Sequence, residues 1–353
     1  MEAKNFFSTQ NSRIGFHYFP DTLHYRESDL RAWLPQLKAF QTSWLVIHSE
    51  LQRAIPEVFI VGLVKAGIQP VIQFDINLER PPKDAELSLL LSAYKRWGAK
   101  YVILSQRPNS YISWNPVNWA NRDLVEHFLE HYLPLARLAL GHGMLPLMPP
   151  LQPGGNYWDT SFLRVMLQSL VEKKESELLE KFILSAFPWT QGHSLNWGAG
   201  GPAQWPDARP YALSAGEQDQ RGFHVFDWYQ TIFQEVVGQT CPIFLLQAGA
   251  AHDPAQSHLM TDVHQHADIN LAIVRLLKKE QISTPEDPKV LLRPIDDAVV
   301  SCNFWLLAAS PSSLHAEDAW FMENRRPKPI VDSLEEYLNP CKETQTAVCG
   351  CRV

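Results

Sequence analysis

The sequence lacks the features that mark membrane proteins and disulfide-bonded secreted proteins. No apolar run approaches the roughly 20 residues that a membrane-spanning helix needs. Residues 1–12 show no basic start followed by an apolar stretch, so they do not resemble a secretory signal. Five cysteines, an odd number, do not make a disulfide framework. We therefore expect a cytoplasmic protein with no membrane span.

Nucleotide, metal and nucleic-acid sites also lack support. No Gly-x-Gly-x-x-Gly or P-loop pattern follows the first apolar run. His264 and His266 are two positions apart on a predicted helix, and side chains at that spacing do not face each other. The net charge is −7, from 31 basic and 38 acidic residues, whereas a nucleic-acid surface needs a basic face. We predict no cofactor, no metal and no nucleic-acid partner.

Eight short apolar runs are present, and amphipathic helical patterns alternate with them. The runs are at 13–19, 44–48, 69–74, 101–104, 144–148, 182–187, 243–246 and 299–306. Strands that are apolar along their whole length are typical of a parallel sheet covered on both faces. Eight such units favour a closed α/β structure, a (β/α)8 TIM barrel.

The predicted domain organisation is simple. Residues 1–12 form an extension, residues 13–338 form one barrel domain, and residues 339–353 form a disordered tail that carries Cys349 and Cys351. The run from 188 to 221, after the sixth strand, has no periodic pattern and is rich in Gly, Pro and Trp. A loop of this length in a compact domain is usually functional, so we expect a long insertion there.

Polar and aromatic side chains crowd the predicted strand ends, where barrels of this kind place their active sites. Flat aromatic rings beside amide, carboxylate and imidazole groups suit sugars, whose C–H faces stack while their hydroxyls form hydrogen bonds. We therefore expect a carbohydrate ligand. The candidate ligand-binding residues are His17, Tyr18, His48, Glu50, Asp75, Gln106, Arg107, Asn109, Trp114, Trp158, Trp189, Gln247, Asp253 and Trp305.

Two short segments carry a resemblance to a known family. They are VILSQRPN at 102–109 and PIFLLQAG at 242–249, with GFHY at 15–18 and NFW at 303–305 as weaker matches. Together they resemble the retaining glycoside hydrolases built on (β/α)8 barrels. The resemblance implies an acid/base glutamate after strand four and a nucleophilic glutamate at the end of strand seven.

The chain departs from that pattern at both catalytic positions. Arg107 stands at the acid/base position, and Gln247 stands at the nucleophile position. Retaining hydrolysis needs two carboxyl groups about 5–5.5 Å apart. Arginine keeps its proton at neutral pH, and an amide is a poor nucleophile. We therefore expect no catalytic residues in the usual sense, and a fixed cation at Arg107 suits an anionic sugar.

Three interpretations remain open at this point. The first is a glycoside-hydrolase-like pseudoenzyme that binds a carbohydrate. The second is an active glycosidase or lyase with relocated carboxylates, drawn from Glu50, Asp75, Asp159, Glu217, Asp219 and Asp253. The third is a scaffold or assembly protein that contacts a protein partner through 188–221 or the tail. Arg107 also has a purely structural alternative, an ion pair with Glu50, Asp75 or Asp253.

Overall fold

The computed structural model describes residues 11–120, 122–250, 262–284 and 288–339. Asp253 lies outside these ranges. So do nearly all of the predicted N-terminal extension and of the predicted tail.

Eight parallel strands form one curled sheet in the order β5-β4-β3-β2-β1-β8-β7-β6. The strands are β1 (Ile14–His17), β2 (Trp44–His48), β3 (Gln69–Gln73), β4 (Tyr101–Ile103), β5 (Leu145–Pro146), β6 (Leu184–Ala186), β7 (Ile243–Ala248) and β8 (Val299–Phe304). The two outer strands approach each other just beyond β5, where the Met148 N–H donates to the Ile183 carbonyl (2.9 Å). Leu151 also forms a parallel bridge with Ala186. The predicted (β/α)8 barrel is confirmed.

Helices cover the outside of the sheet. Their bounds are α1 (Glu27–Ala39), α2 (Glu57–Lys65), α3 (Asp84–Arg96), α4 (Pro116–Trp119), α5 (Leu124–Gly141), α6 (Asp159–Glu172), α7 (Ser176–Glu180), α8 (Gly201–Gln204), α9 (Val225–Val237), α10 (Val263–Leu277) and α11 (Pro329–Leu338). After β8 the chain adds a two-stranded sheet of β9 (Ala308–Ala309) and β10 (Phe321–Met322), which the apolar pattern does not predict.

Strand alternation divides the core into two layers. Leu45 and Ile47 belong to the larger cluster, which lies between the sheet and the helices. Trp44 belongs to the smaller cluster, and its ring lies 5.3 Å from Tyr101 and 4.9 Å from Phe244. These three rings stand near the starts of their strands, so they fill the bottom of the barrel. The opposite end, at the strand carboxyl ends, is the mouth.

Gly15 allows a close approach inside the barrel. A Cβ at this position would lie 2.2 Å from Asn303 Oδ1 and 2.7 Å from Trp44 Cβ. Asn303 is fully buried and donates from its amide to the Leu245 carbonyl (2.9 Å). The glycine in the GFHY segment is therefore needed because the side chain of β8 occupies the space beside β1.

Candidate functional site

Arg107, at the end of strand four, lies at the mouth over two aromatic rings. Its Cζ atom is 5.7 Å from the ring centroid of Phe187 and 5.7 Å from that of Trp189. Those two rings stack on each other, with centroids 4.8 Å apart and planes 8° apart. Guanidinium groups at such distances are attracted by the ring quadrupole. The arginine therefore reaches from the end of β4 to the residues that follow β6.

The backbone around Arg107 forms a defined turn. Arg107 has a left-handed conformation (φ 50°), and its N–H donates to the Pro150 carbonyl (2.8 Å). The Ser110 N–H closes the turn onto the Arg107 carbonyl (3.0 Å). This turn ties the loop after β4 to the segment after β5, so the position of Arg107 is set by two strands.

Gln247, at the end of strand seven, is held by a histidine from strand one. It also has a left-handed backbone (φ 52°), and the sheet register is irregular between Leu245 and Ala248. The Gln247 N–H donates to His17 Nε2 (3.0 Å). Because Nε2 accepts this bond, the imidazole proton is on Nδ1. Burial lowers the pKa of His17 well below its usual value, and the neighbouring His48 lowers it further.

A polar row extends from this histidine along the rim. His48 Nδ1 lies 3.8 Å from Asp75 Oδ2, and Gln106 donates from its amide to Asp75 Oδ1. Burial lowers the pKa of His48, although Asp75 and Asp21 oppose the shift. The row joins β4, β3, β2 and β1, and it contains one carboxylate.

The carboxylates at this end are exposed or already hydrogen-bonded. The side chains of Asp75 and Glu50 are 60% and 43% exposed, and Glu50 pairs with Arg53 at 3.3 Å. Asp159 is fully buried and accepts from Tyr229 Oη (2.8 Å) and Gln220 Nε2 (2.7 Å). The groups near Arg107 and Gln247 include the Gln106 amide, the His17 imidazole and the rings of Phe187 and Trp189.

Three of the predicted ligand-binding residues have structural contacts instead. Asn109 is fully buried, donating to the carbonyls of Gln152 (2.9 Å) and Tyr157 (3.0 Å) and accepting from the Gln152 N–H (2.8 Å). Trp114 lies in the outer core layer and donates from Nε1 to the Pro108 carbonyl (2.7 Å). Tyr18 is buried in the same outer layer. Asn109 and Trp114 thus stabilise the loop after β4, and all three side chains are buried.

Trp158 and Trp305, which the sequence also suggested as ligand contacts, expose little of their side chains to solvent. Trp305 is 8% exposed, and its ring lies 5.1 Å from His17. Trp158 is 5% exposed, lies 4.8 Å from Tyr211 and carries the Arg221 guanidinium 5.5 Å above its ring. Phe187, which was not among the predicted ligand-binding residues, is one of the two rings under Arg107. Strand alternation indicates it, because residues 187 and 189 both continue the inward side of β6.

The insertion after β6 is bonded within itself and to α9. Asp219 Oδ2 pairs with Arg221 Nε (2.7 Å), and Trp228 Nε1 donates to the Gly198 carbonyl (2.9 Å). The Gly200 N–H donates to Asp227 Oδ2 (2.7 Å). The absence of sequence periodicity at 188–221 therefore does not mean an absence of structure.

The described part of the chain shows neither a metal centre nor a membrane helix. No group of three or more His, Cys, Asp or Glu side chains in it is arranged to hold a metal ion. Likewise, no helix within those ranges combines the length and the apolar character needed to cross a membrane.

Comparison with known proteins gives structural matches alone. No protein-family model and no curated protein sequence matches the chain. A monomeric β-xylosidase from Caulobacter crescentus CB15 superposes with a TM-score of 0.56 at 14% identity, covering 93% of this chain and 68% of that one. A family 39 glycoside hydrolase from Bacteroides cellulosilyticus WH2 gives 0.55 at 12% identity, covering 92% and 63%.

A third match is a calcium-binding mutant of Bacteroides uniformis β-glucuronidase 2, with a TM-score of 0.54 at 11% identity, covering 92% of this chain and 34% of that one. The chain thus spans two thirds or less of two of these three proteins. At these identities the similarity establishes the barrel fold that the chain shares with glycoside hydrolases, and no more.

Proposed function

We propose that this barrel binds a carbohydrate that carries an acidic group and does not hydrolyse it by the retaining mechanism. The observation that carries the proposal is Arg107, a cation placed over Phe187 and Trp189 at the mouth. The two rings are buried and hold the guanidinium in place at the mouth. A guanidinium pairs with a carboxylate, sulfate or phosphate. The proposed ligand-binding residues are His17, His48, Glu50, Asp75, Gln106, Arg107, Trp158, Trp189, Gln247 and Trp305.

The chemistry of two residues argues against double displacement. A guanidinium has no proton to give at neutral pH, so Arg107 does not serve as the acid that protonates a leaving oxygen. The amide of Gln247 neither attacks an anomeric carbon efficiently nor neutralises positive charge on the sugar. His17, which stays neutral through burial, holds the Gln247 backbone in place and adds no negative charge.

The structural neighbours support the ligand class. Their names describe a β-xylosidase, a family 39 glycoside hydrolase and a β-glucuronidase. A glucuronide carries a carboxylate, which is the kind of group that the Arg107 cation would recognise. We therefore place uronic-acid-containing glycans first among the proposed ligands, ahead of neutral xylose- and glucose-containing ones.

The test is binding of the Arg107→Ala variant to an array of acidic and neutral glycans. Loss of a charge-assisted hydrogen bond of about 1.5–3 kcal/mol predicts a decrease in affinity of roughly tenfold or more for acidic glycans. The matched control is Arg137→Ala, which removes an arginine that pairs with Glu175 on the outer surface. Equal binding of acidic glycans by wild type and Arg107→Ala would rule out this site.

A further inference from the structure

A concave site lies between the loops that follow β1 and β2. It encloses about 380 Å³, and the residues that matter here are Thr22, Leu23, Tyr25, His48, Glu50 and Arg53. This volume falls within the range of small-molecule sites, about 300–1,000 Å³. We call it the β1–β2 pocket.

His48 joins the β1–β2 pocket to the mouth. Its imidazole contacts Asp75 in the polar row and also lines the pocket. The Tyr25 hydroxyl donates to the His48 carbonyl (2.9 Å), so a buried residue of the pocket fixes the end of β2. His48 therefore connects the β1–β2 pocket to the polar row that runs through Asp75 and Gln106 toward Arg107.

Arg53 and Glu50 are pre-positioned in this pocket. Arg53 Nη2 donates to the Thr22 carbonyl (3.1 Å), to Thr22 Oγ1 (3.0 Å) and to Glu50 Oε1 (3.3 Å). The Thr22 hydroxyl also donates to Glu50 Oε1. Among the described residues, Arg53 Nε and Nη1 and Glu50 Oε2 have no hydrogen-bond partner. The wall of the pocket therefore presents fixed donors next to a fixed acceptor.

This combination selects for a polyhydroxylated ligand. A simple anion would meet the Glu50 carboxylate beside the Arg53 guanidinium, and like charges repel. Neighbouring sugar hydroxyls both donate and accept, so they satisfy Arg53 and Glu50 together. Leu23 is 68% exposed at the edge of the pocket and offers an apolar surface for the C–H face of a ring.

We propose that the β1–β2 pocket holds a second sugar ring of an oligosaccharide whose first ring occupies the mouth at Arg107. The inference rests on the proposed function, and it specifies that the ligand is an oligosaccharide rather than a single sugar. Arg53 and Glu50 bind hydroxyls of the second ring, and Leu23 packs against it. Affinity should therefore rise when a bound sugar gains a second ring.

The experiment measures affinity against ring number. Glycans of one to four rings, in xylose, glucose and glucuronic-acid-terminated series, are arrayed and titrated with wild type, Arg53→Ala, Leu23→Ala and the surface control Arg137→Ala. For the series that binds, wild type should gain roughly tenfold or more from one ring to two, in line with charge-assisted hydrogen bonds of about 1.5–3 kcal/mol. Arg53→Ala should remove most of that gain, and Leu23→Ala part of it.

The outcomes separate the two proposals. One outcome is an affinity that depends on Arg107 and yet is the same for glycans of one, two and four rings. That result overturns the proposed role of the β1–β2 pocket and leaves the proposed site at Arg107 intact. A gain with ring number that survives in both Arg53→Ala and Leu23→Ala also overturns the pocket. The side chains of Arg53 and Leu23 are more than half exposed, so both variants should fold. Binding of no series by wild type overturns both proposals.

Discussion

Arg107 and Gln247 share an unusual backbone conformation at equivalent ends of two strands. Both have positive φ angles, 50° and 52°, a region that non-glycine residues enter at a cost of roughly 1–2 kcal/mol each. Such residues persist where surrounding contacts hold them, and they concentrate at functional sites. Here the Pro150 carbonyl holds one N–H and His17 Nε2 holds the other. The local geometry at the ends of β4 and β7 is thus built around these two residues.

His266 gives a pH prediction at the residue scale. Burial and the nearby Lys328 lower its pKa to about 4, although Asp318 opposes the shift. Its Nε2 bonds to the Asp318 carbonyl (3.0 Å). The folded pKa lies below the ordinary value of 6.5. The unfolded chain therefore takes up the proton first, and stability falls as pH drops from about 6.5 to about 4. Each such group contributes a slope of up to about 1.4 kcal/mol per pH unit.

We expect His266→Gln to flatten this part of the stability curve by about 1 kcal/mol per pH unit. Urea unfolding at pH 7.0, 5.5 and 4.5 measures the slope. The matched control is His264→Gln, an exposed position on the same helix, which should follow the wild-type curve. A His266→Gln curve parallel to wild type would show that the buried imidazole is not the source of the acid sensitivity.

At the scale of elements, Asp159 links three segments around the mouth. It begins α6 and accepts from the Gly154 N–H (2.9 Å), from Gln220 in the insertion and from Tyr229 on α9. All three partners are donors, so an ionised carboxylate suits them, although burial raises the pKa of Asp159. This contact set explains why 188–221 keeps a defined structure without any sequence periodicity.

Asp159→Asn should therefore destabilise the protein by about 2 kcal/mol, because the amide removes the acceptor of the buried Tyr229 hydroxyl proton and accepts more weakly from Gly154 and Gln220. The free energy of unfolding in urea measures the effect. Asp207→Asn, an exposed position in the same insertion, is the control and should change stability by less than about 0.5 kcal/mol. Equal stability of the two variants would contradict the anchoring role of Asp159.

Strand positions could be predicted from sequence more closely than the contacts between loops. The run at 44–48 coincides with β2, and the other seven runs differ from their strands by one or two residues at an end. Apolar runs identify strands because parallel strands are buried on both faces. The four-residue helix α4, with Pro116 at its first position, is too short to show a periodic pattern.

At the scale of the whole molecule, the alternation of strands and helices predicted the barrel. It did not predict which side chains line the mouth. Asn109 illustrates the limit. Its type and position suggested a ligand contact, yet its amide bonds Gln152 and Tyr157. Leu23 and Arg53 show the converse, since nothing in their sequence context marks a pocket. Contacts between loops from different strands depend on tertiary geometry, which local patterns do not encode.

The central proposal concerns the whole molecule: we propose that the barrel binds a sugar and lacks retaining hydrolysis. The positions of Arg107 and Gln247 support this proposal. The rim carboxylates Asp75 and Glu50 also support it, because they are exposed and already bonded to other groups. The competing account is an active enzyme that uses one of those carboxylates.

The decisive measurement is an incubation of wild type with the glycan that binds best on the array, with products followed by mass spectrometry and their anomeric configuration by proton NMR. We expect saturable binding and no cleavage. Cleavage that retains the anomeric configuration, and that disappears in Asp75→Asn or Glu50→Gln, would contradict the account and establish a hydrolase with relocated carboxylates.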